Sequence, residues 1–175
     1  KTLVEHAAEK DPRHAEAHYY LGLVRDELGD TKGATLSFLR AREIDLLAGM
    51  PAWAPQRETW ERTAVQVFEQ LSPLLSRYVS GADVYISDVP GVELVADGVD
   101  PRALVLLDGF ASGEEPGVET LPESATRVFI YAINVARQAG QADLIEPELL
   151  AAIEREISAT FLEPGQHAIA PRDLN

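Results

Sequence analysis

Small residues at regular positions in residues 15–46 constrain the fold more than any other feature of this chain. The stretch AEAHYYLGLVRDELGDTKGATLSFLRAREIDL has helical periodicity on both sides of a Gly-Asp break, which predicts helices at about 15–28 and 31–45. Three small residues stand where two such helices cross closely: Gly22, Ala34 and Ala41. Leu21 and Phe38 are predicted to fill the space between the helices. A helical pair of this kind buries its apolar face only by stacking on a neighbour.

This stretch resembles one tetratricopeptide (TPR) repeat in a single register, although His18 stands where the family usually has Trp. The preceding LVEHAAEKDP matches the second helix of another repeat, with Ala7 and Pro12 in register, and predicts a helix at about 2–10. About three repeats are needed for a stable array. Because the chain begins inside a repeat, we expect it to be a fragment of a longer protein.

The resemblance to a TPR repeat implies a peptide-binding groove lined by the first helix of the repeat. The positions expected in this groove are Glu16, Tyr19, Leu23, Asp26 and Glu27. Three of these five side chains are acidic. The predicted groove therefore favours a basic or amide-rich peptide.

A second informative stretch, LIEPELLAAIEREISATFLEP, predicts an amphipathic helix at about 146–162. In the zinc-peptidase pattern H-E-x-x-H, two His residues four positions apart bind zinc, and the Glu acts as general base. Here Glu156 stands at the general-base position, but Arg155 and Ala159 stand at the two ligand positions. Neither side chain has a lone pair to give a metal. The pattern predicts a helix with no metal, no cofactor and no catalytic residue.

Residues 60–164 resemble the small bacterial zincin-like metallopeptidase family in collinear order. VFEQLSPLLSRYVSGADVYISDVP is similar to the opening helix and first strand of that family. DPRALVLLDGF and LPESATRVFIYAINVAR are similar to later segments, and AIEREISATFLEP coincides with the metal helix. The resemblance implies a peptide cleft in which an extended segment pairs with an edge strand.

Together these resemblances imply an α+β fold, with TPR-type helical hairpins packed on a small zincin-like domain. That domain is expected to contain a short mixed sheet and a C-terminal remnant of the metal helix. The expected division is TPR-like helices at 1–48, a linker at 49–59, the zincin-like domain at 60–164 and a tail at 165–175.

Local patterns complete the predicted layout. Apolar periodicity indicates a helix over 56–79 with a possible break at Pro73, and a further helix at 132–139. Four short apolar runs predict strands: DVYIS, VELVA, ALVLLD and RVFIYAI. The stretch GFASGEEPGVETLPES, residues 109–124, has turn residues without periodicity and predicts a loop.

The net charge of −14 is unevenly distributed. Residues 1–62 carry 9 Lys+Arg and 11 Asp+Glu, whereas residues 63–175 carry 6 and 18 and contain no lysine. Such an acidic surface repels phosphate backbones and anionic lipids, so neither nucleic acid nor membrane is an expected partner. There are no cysteines, which excludes disulfides and thiolate metal sites. No apolar run reaches the length of a membrane span, and a cytoplasmic location is expected.

The function predicted from the sequence is protein–protein interaction by a TPR-containing protein with an inactive zincin-like domain. The expected partner is a protein or peptide, and the acidic groove favours a basic one. Two alternatives remain open at this stage. One is a metallopeptidase whose metal site has moved, for example to Glu156, Glu163 and His167. The other is a purely structural subunit of a larger assembly.

Overall fold

The computed structural model describes residues 3–113 and 121–162. The elements in chain order are α1 (Leu3–Lys10), α2 (Ala15–Glu27), α3 (Thr31–Ala48), α4 (Arg57–Gln70), α5 (Pro73–Ser76), β1 (Asp83–Ser87), α6 (Val92–Ala96), β2 (Val105–Gly113), β3 (Leu121–Tyr131), α7 (Ala132–Ala139), a 3-10 turn (Ala142–Leu144), α8 (Ile145–Ile157) and a π-helical turn (Ser158–Leu162). The predicted α+β class is confirmed, because helices accompany a small mixed sheet. Within the described ranges, no helix has both the length and the apolarity that crossing a membrane requires.

The described residues form two compact units, each assembled from stretches that are distant in sequence. Unit 1 holds residues 3–54, 87–104 and 131–142. Unit 2 holds residues 55–86, 105–113, 121–130 and 143–162. The division predicted from the sequence is sequential, whereas the segments that carry α6 and α7 group with the N-terminal helices.

The three N-terminal helices of unit 1 are confirmed as α1, α2 and α3. Helices α2 and α3 approach closely at Gly22, where an added Cβ would lie 2.4 Å from Cε1 of Phe38. The small residues predicted for this crossing are buried, with Ala34 2% and Ala41 0% exposed. Asp30 caps the start of α3 by accepting a hydrogen bond from the backbone N–H of Gly33 at 2.9 Å.

Helix α1 adds a smaller apolar contact to this pair. Its buried residue Ala8 forms a cluster with Ala17 and Leu21 of α2, and Val4 packs against the cluster. Helix α1 therefore covers apolar surface of α2 that α3 leaves open. This agrees with the expectation that a helical pair buries its apolar face by stacking on a neighbour.

The predicted strand VELVA is wrong, because residues 92–96 form the short helix α6 in unit 1. A five-residue apolar run fits a buried strand and a single helical turn equally well. The flanking glycines decide the outcome. Gly98 has a φ of 105°, and its N–H donates to the carbonyl of Val95 while the N–H of Val99 donates to Leu94. These bonds end the helix in the manner of a glycine C-cap.

Unit 2 is built from a three-stranded sheet with helices. The strand order is β1-β3-β2, and β2 pairs antiparallel with β3 in a register that sets Leu107 opposite Val128. The predicted break in the helix at 56–79 is confirmed, since α4 ends at Gln70 and α5 begins at Pro73. Helix α8 contacts both α4 and β2, and its residues Leu149, Ile153 and Ile157 are each 0% exposed.

The loop predicted over 109–124 is partly wrong, because the strand pair extends into it. Strand β2 runs to Gly113 and β3 begins at Leu121, and these two residues are paired. The remaining residues of the predicted loop, 114–120, lie outside the described residues. Turn-forming residues therefore did not prevent pairing, because the antiparallel partner supplies the hydrogen bonds that fix the strand.

Candidate functional site

Unit 1 contains a group of charged side chains around the buried Asp45, which pairs with Arg102 and Arg137. We call this group the polar centre. The Asp45 side chain on α3 is 10% exposed and accepts from two guanidinium groups. Nε of Arg102 lies 3.2 Å from Oδ2, and Nη1 of Arg137 on α7 lies 2.5 Å from Oδ1. Arg137 also donates from Nη2 to the Asp45 carbonyl at 2.8 Å. A buried carboxylate is tolerated only when it is paired in this way.

Tyr19 on α2 adjoins this polar centre, because its ring contacts Arg102. Its hydroxyl donates to Oδ2 of Asp100 at 2.9 Å, and the Arg102 guanidinium carbon lies 4.6 Å from the centroid of its ring. Burial, reinforced by the negative charge of Asp100, raises the pKa of Tyr19 to about 12. The phenol is therefore a neutral hydrogen-bond donor at any ordinary pH.

The structure places the five predicted groove residues along one face of α2, at helical spacing. Glu16, Leu23, Asp26 and Glu27 are exposed, with Leu23 37% exposed. The middle of this face is not free, because Tyr19 is held by the segment that carries Asp100 and Arg102. The face is therefore acidic at its ends, and Tyr19 within it is half-buried and bound by residues of the same chain.

A polar pocket of about 280 Å³ lies beside Glu16 in unit 1. Its lining residues are Glu16, Asp45, Arg102, Leu104, Asn134, Arg137 and Gln138. The side-chain nitrogen of Asn134 already donates to the carbonyls of Pro101 and Ala103, at 3.0 and 2.8 Å. Most polar groups around the pocket thus serve to hold residues 100–104, α3 and α7 together.

The helix that carries the Arg155–Ala159 motif does not keep regular α-helical geometry to its end. Helix α8 ends at Ile157, so that Arg155 and Glu156 lie in it, whereas Ala159 lies in the π-helical turn. Arg155 is exposed and Glu156 is half-buried. Ser158 still has α-helical dihedrals, with a φ of −63° and a ψ of −45°, so the change in helical geometry follows the Arg155–Ile157 part of the motif.

The π turn positions Phe161 in an aromatic cluster. The ring of Phe161 stacks on Tyr78 with centroids 4.6 Å apart and meets Phe110 edge-on at 5.7 Å. Across residues 3–113 and 121–162, no group of three or more His, Cys, Asp or Glu side chains could hold a metal. Glu163 and His167, which the relocated-site alternative requires, lie outside the described residues.

Unit 2 contains an apolar groove of about 570 Å³ between α4 and β1. Its α4 wall consists of Glu61, Ala64, Val65, Phe68 and Glu69. The opposite wall consists of Ser76, residues 79–82, Val84 and Ile86. We call this feature the α4–β1 groove. Its volume lies within the range of ligand-binding clefts.

The α4–β1 groove adjoins an edge strand. In the order β1-β3-β2, β1 has β3 on one side only, and no described residue of β3 lines the groove. Among the described residues β1 is therefore an edge strand whose Val84 and Ile86 line the groove, and such an edge presents backbone N–H and C=O groups that can pair with another chain. The apolar side chains here are accessible, with Val65 59% and Val84 40% exposed.

The sequence predicted a peptide cleft beside an edge strand but did not locate the α4–β1 groove. Two local signals point to it. Val84 and Ile86 alternate along DVYIS and share one face of the strand. Val65 is an additional apolar residue on a helix whose buried stripe is Trp60, Ala64 and Val67. Bringing these two segments together depends on long-range packing, which neither segment specifies by itself.

Comparisons with protein-family models, with curated proteins and with solved structures find no match for this chain.

Proposed function

We propose that this chain is a protein–protein interaction module in which TPR-type helices accompany a zincin-like fold that does not act as a peptidase. The observation that carries the proposal is the α4–β1 groove, an apolar cleft beside a free strand edge. Apolar side chains exposed together in this way mark interaction sites. A strand edge next to them adds the backbone hydrogen bonds that peptide ligands use.

Two features support the TPR-type and zincin-like parts of the proposal. The close approach of Gly22 to Phe38 is the contact that the TPR resemblance requires. Helix α8 follows β3 and α7 at the place where the zincin resemblance sets the metal helix. The side chains of Arg155 and Ala159 do not ligate metals, and this supports the proposed loss of peptidase activity.

The direct test is selection of peptides from a display library against the whole 175-residue chain. Nuclear magnetic resonance would then locate the bound peptide from the amide signals that shift. We expect shifts concentrated at residues 61–69 and 79–86, and loss of binding in the variant Val65→Arg. The matched control is Leu74→Arg, because Leu74 is similarly exposed at 56% but does not line the groove. Peptides that map elsewhere, or that bind Val65→Arg unchanged, would contradict the proposal.

A second measurement separates this proposal from a metallopeptidase with a relocated site. We expect purified chain dialysed without chelator to hold well below one zinc per chain and to cleave neither casein nor a peptide library. Stoichiometric zinc together with chelator-sensitive cleavage would establish the peptidase instead.

A further inference from the structure

We infer that the α4–β1 groove takes an extended, basic segment of a partner protein, which adds to the free edge of β1 as a further strand. This inference rests on the proposed function and specifies the ligand of the same surface. It follows from three properties of the groove: the free edge, the spacing of the α4 side chains and the charge at the rim.

The length of the free edge sets the size of the ligand. Strand β1 contains 5 residues, Asp83–Ser87. At about 3.3 Å per residue this edge spans roughly 17 Å, enough for a segment of about five residues. Alternate side chains of the added strand point to the same face. Two or three side chains of the ligand can therefore face α4.

The α4 wall has a repeat that matches this alternation. Glu61, Val65 and Glu69 are four residues apart along one stripe of α4, and all three line the groove. Four helical residues rise about 6 Å. Two strand residues advance about 6.6 Å. A strand that follows α4 would thus set every second side chain opposite successive members of this stripe.

The chemistry of the stripe defines the ligand pattern. An apolar ligand side chain opposite Val65 would enter the part of the groove lined by Ala64 and Phe68. The side chains two residues before and after it would meet Glu61 and Glu69, which are exposed. Lys or Arg suits these two positions. The recognised pattern is therefore basic-x-apolar-x-basic.

The rim of the groove carries one nearby cation, Arg57, which could compete with a basic ligand for Glu61. This cation does not prevent binding of the basic-x-apolar-x-basic pattern. Nε of Arg57 lies 3.7 Å from Glu61, with both side chains exposed, at 74% and 61%. An exposed pair of this kind contributes little net stability, so it can give way to an incoming cation. The sequence stretches of unit 2, residues 55–86, 105–130 and 143–175, carry 16 Asp+Glu and 6 Arg, a net charge of −10. This field attracts a basic segment before contact.

The same charges argue against a second copy of the chain as the occupant. Its own edge strand reads DVYIS and contains an aspartate but no basic residue. Pairing two β1 edges would also bring together two units that each carry a net charge of −10. A basic partner removes this repulsion, whereas a second copy increases it.

The experiment uses fluorescent peptides with the whole chain. The probe is Thr-Lys-Thr-Leu-Thr-Lys-Thr, acetylated and amidated. One comparison peptide has Glu at both Lys positions. Two others carry N-methyl groups on alternate backbone amides, so that each blocks the N–H groups along one edge of the peptide strand. We expect the Glu peptide to bind at least about 10-fold more weakly. Since only one set of amides points towards β1, we expect one N-methylated peptide to lose at least about 10-fold and the other to bind nearly unchanged.

Variants of the chain test the same contacts from the other side. We expect Glu61→Lys with Glu69→Lys to weaken the Lys peptide about 10-fold and to strengthen the Glu peptide. Glu58→Lys is the matched control, because Glu58 is an exposed carboxylate of α4 outside the groove, and it should change binding less than about 2-fold.

The outcomes separate this inference from the proposed function. If peptides map to the α4–β1 groove but neither N-methylation nor charge matters, strand addition by a basic segment is wrong and the interaction site stands. If selected peptides bind outside the groove or not at all, both fail. If the chain alone sediments as a dimer that Val65→Arg dissociates, the occupant is a second copy, and the inference is overturned.

Discussion

The candidate binding surfaces of the two units differ in their accessibility and in their polarity. In unit 1 the α2 face predicted from the sequence contains Tyr19, which is half-buried and bound by Asp100 and Arg102 of the same chain. In unit 2 the α4–β1 groove is apolar and accessible, and a free strand edge runs beside it. The charged face thus carries polar contacts that hold unit 1 together, whereas the apolar face is available to a partner. We therefore propose the α4–β1 groove as the binding site, because exposed apolar surface beside an edge strand is typical of interaction sites.

The largest expected effect concerns the polar centre of unit 1. Asp45→Ala would leave Arg102 and Arg137 partly buried without their shared carboxylate. We expect a loss of about 3 kcal/mol in the free energy of unfolding, at the low end for broken buried pairs because the arginine side chains remain 31% and 30% exposed. Urea unfolding measures the change. Asp26→Ala on the exposed α2 face should cost less than about 0.5 kcal/mol. Equal effects in the two variants would show that the Asp45 contacts are not structural.

The next effect concerns the crossing of α2 and α3. Gly22→Ala places a methyl group against the Phe38 ring, at a site where overpacking costs about 1–3 kcal/mol. Better helix propensity offsets about 1 kcal/mol of this. We therefore expect a net loss of up to about 2 kcal/mol by thermal or urea unfolding. Phe38→Leu in the Gly22→Ala background should recover part of the loss, and a stabilised Gly22→Ala variant would rule out the close crossing.

A smaller effect concerns Tyr19. Its folded pKa, about 12, is raised above the ordinary value of 10.0, so its contribution to stability is complete below pH 10 and is lost as the pH rises towards 12. Tyr19→Phe removes the hydrogen bond to Asp100, and we expect a loss of about 1 kcal/mol near pH 7. The variant should also lose stability less steeply than the parent between pH 10 and 12. Absorbance of the phenolate in the ultraviolet measures the titration directly. A parent chain in which no tyrosine titrates above its ordinary range would contradict the assignment.

The smallest effect on stability is expected at the α4–β1 groove. Val65 is 59% exposed, so Val65→Ser should change the free energy of unfolding by less than about 0.5 kcal/mol. Binding of a selected peptide should nevertheless fall measurably, while Leu74→Ser leaves it unchanged. A large loss of stability in Val65→Ser would place this residue in the core and remove it from the binding surface.

Local sequence patterns predicted most helices and the breaks between them. Gly22, Ala34 and Ala41 fix a helix crossing because small residues are needed wherever backbones approach, and Pro73 interrupts the helix that begins at α4. The same reasoning failed for VELVA, where five apolar residues fit either structure and the cap at Gly98 decides. It also missed the extent of the β2–β3 pair, since antiparallel pairing overrides weak local preference.

The candidate sites were harder to predict, because they depend on contacts between distant segments. The groove positions on α2 follow from helical spacing alone, but their cover at Tyr19 comes from Asp100 and Arg102, about 80 residues away. The apolar pattern predicts one helix at about 146–162, whereas α8 ends at Ile157 and a π-helical turn follows from Ser158. The α4–β1 groove brings together residues 61–69 and 76–86, and the sheet order determines which strand edge is free.

Two sets of substitutions distinguish the α4–β1 groove from the α2 face as the binding site. A peptide selected on the whole chain is titrated against two variants, Val65→Arg in the α4–β1 groove and the triple variant Glu16→Lys, Asp26→Lys, Glu27→Lys on the α2 face. The account predicts that Val65→Arg abolishes binding and that the triple variant binds within about 2-fold of the parent chain. Loss of binding in the triple variant with retention in Val65→Arg would contradict it and would place the interaction site on α2.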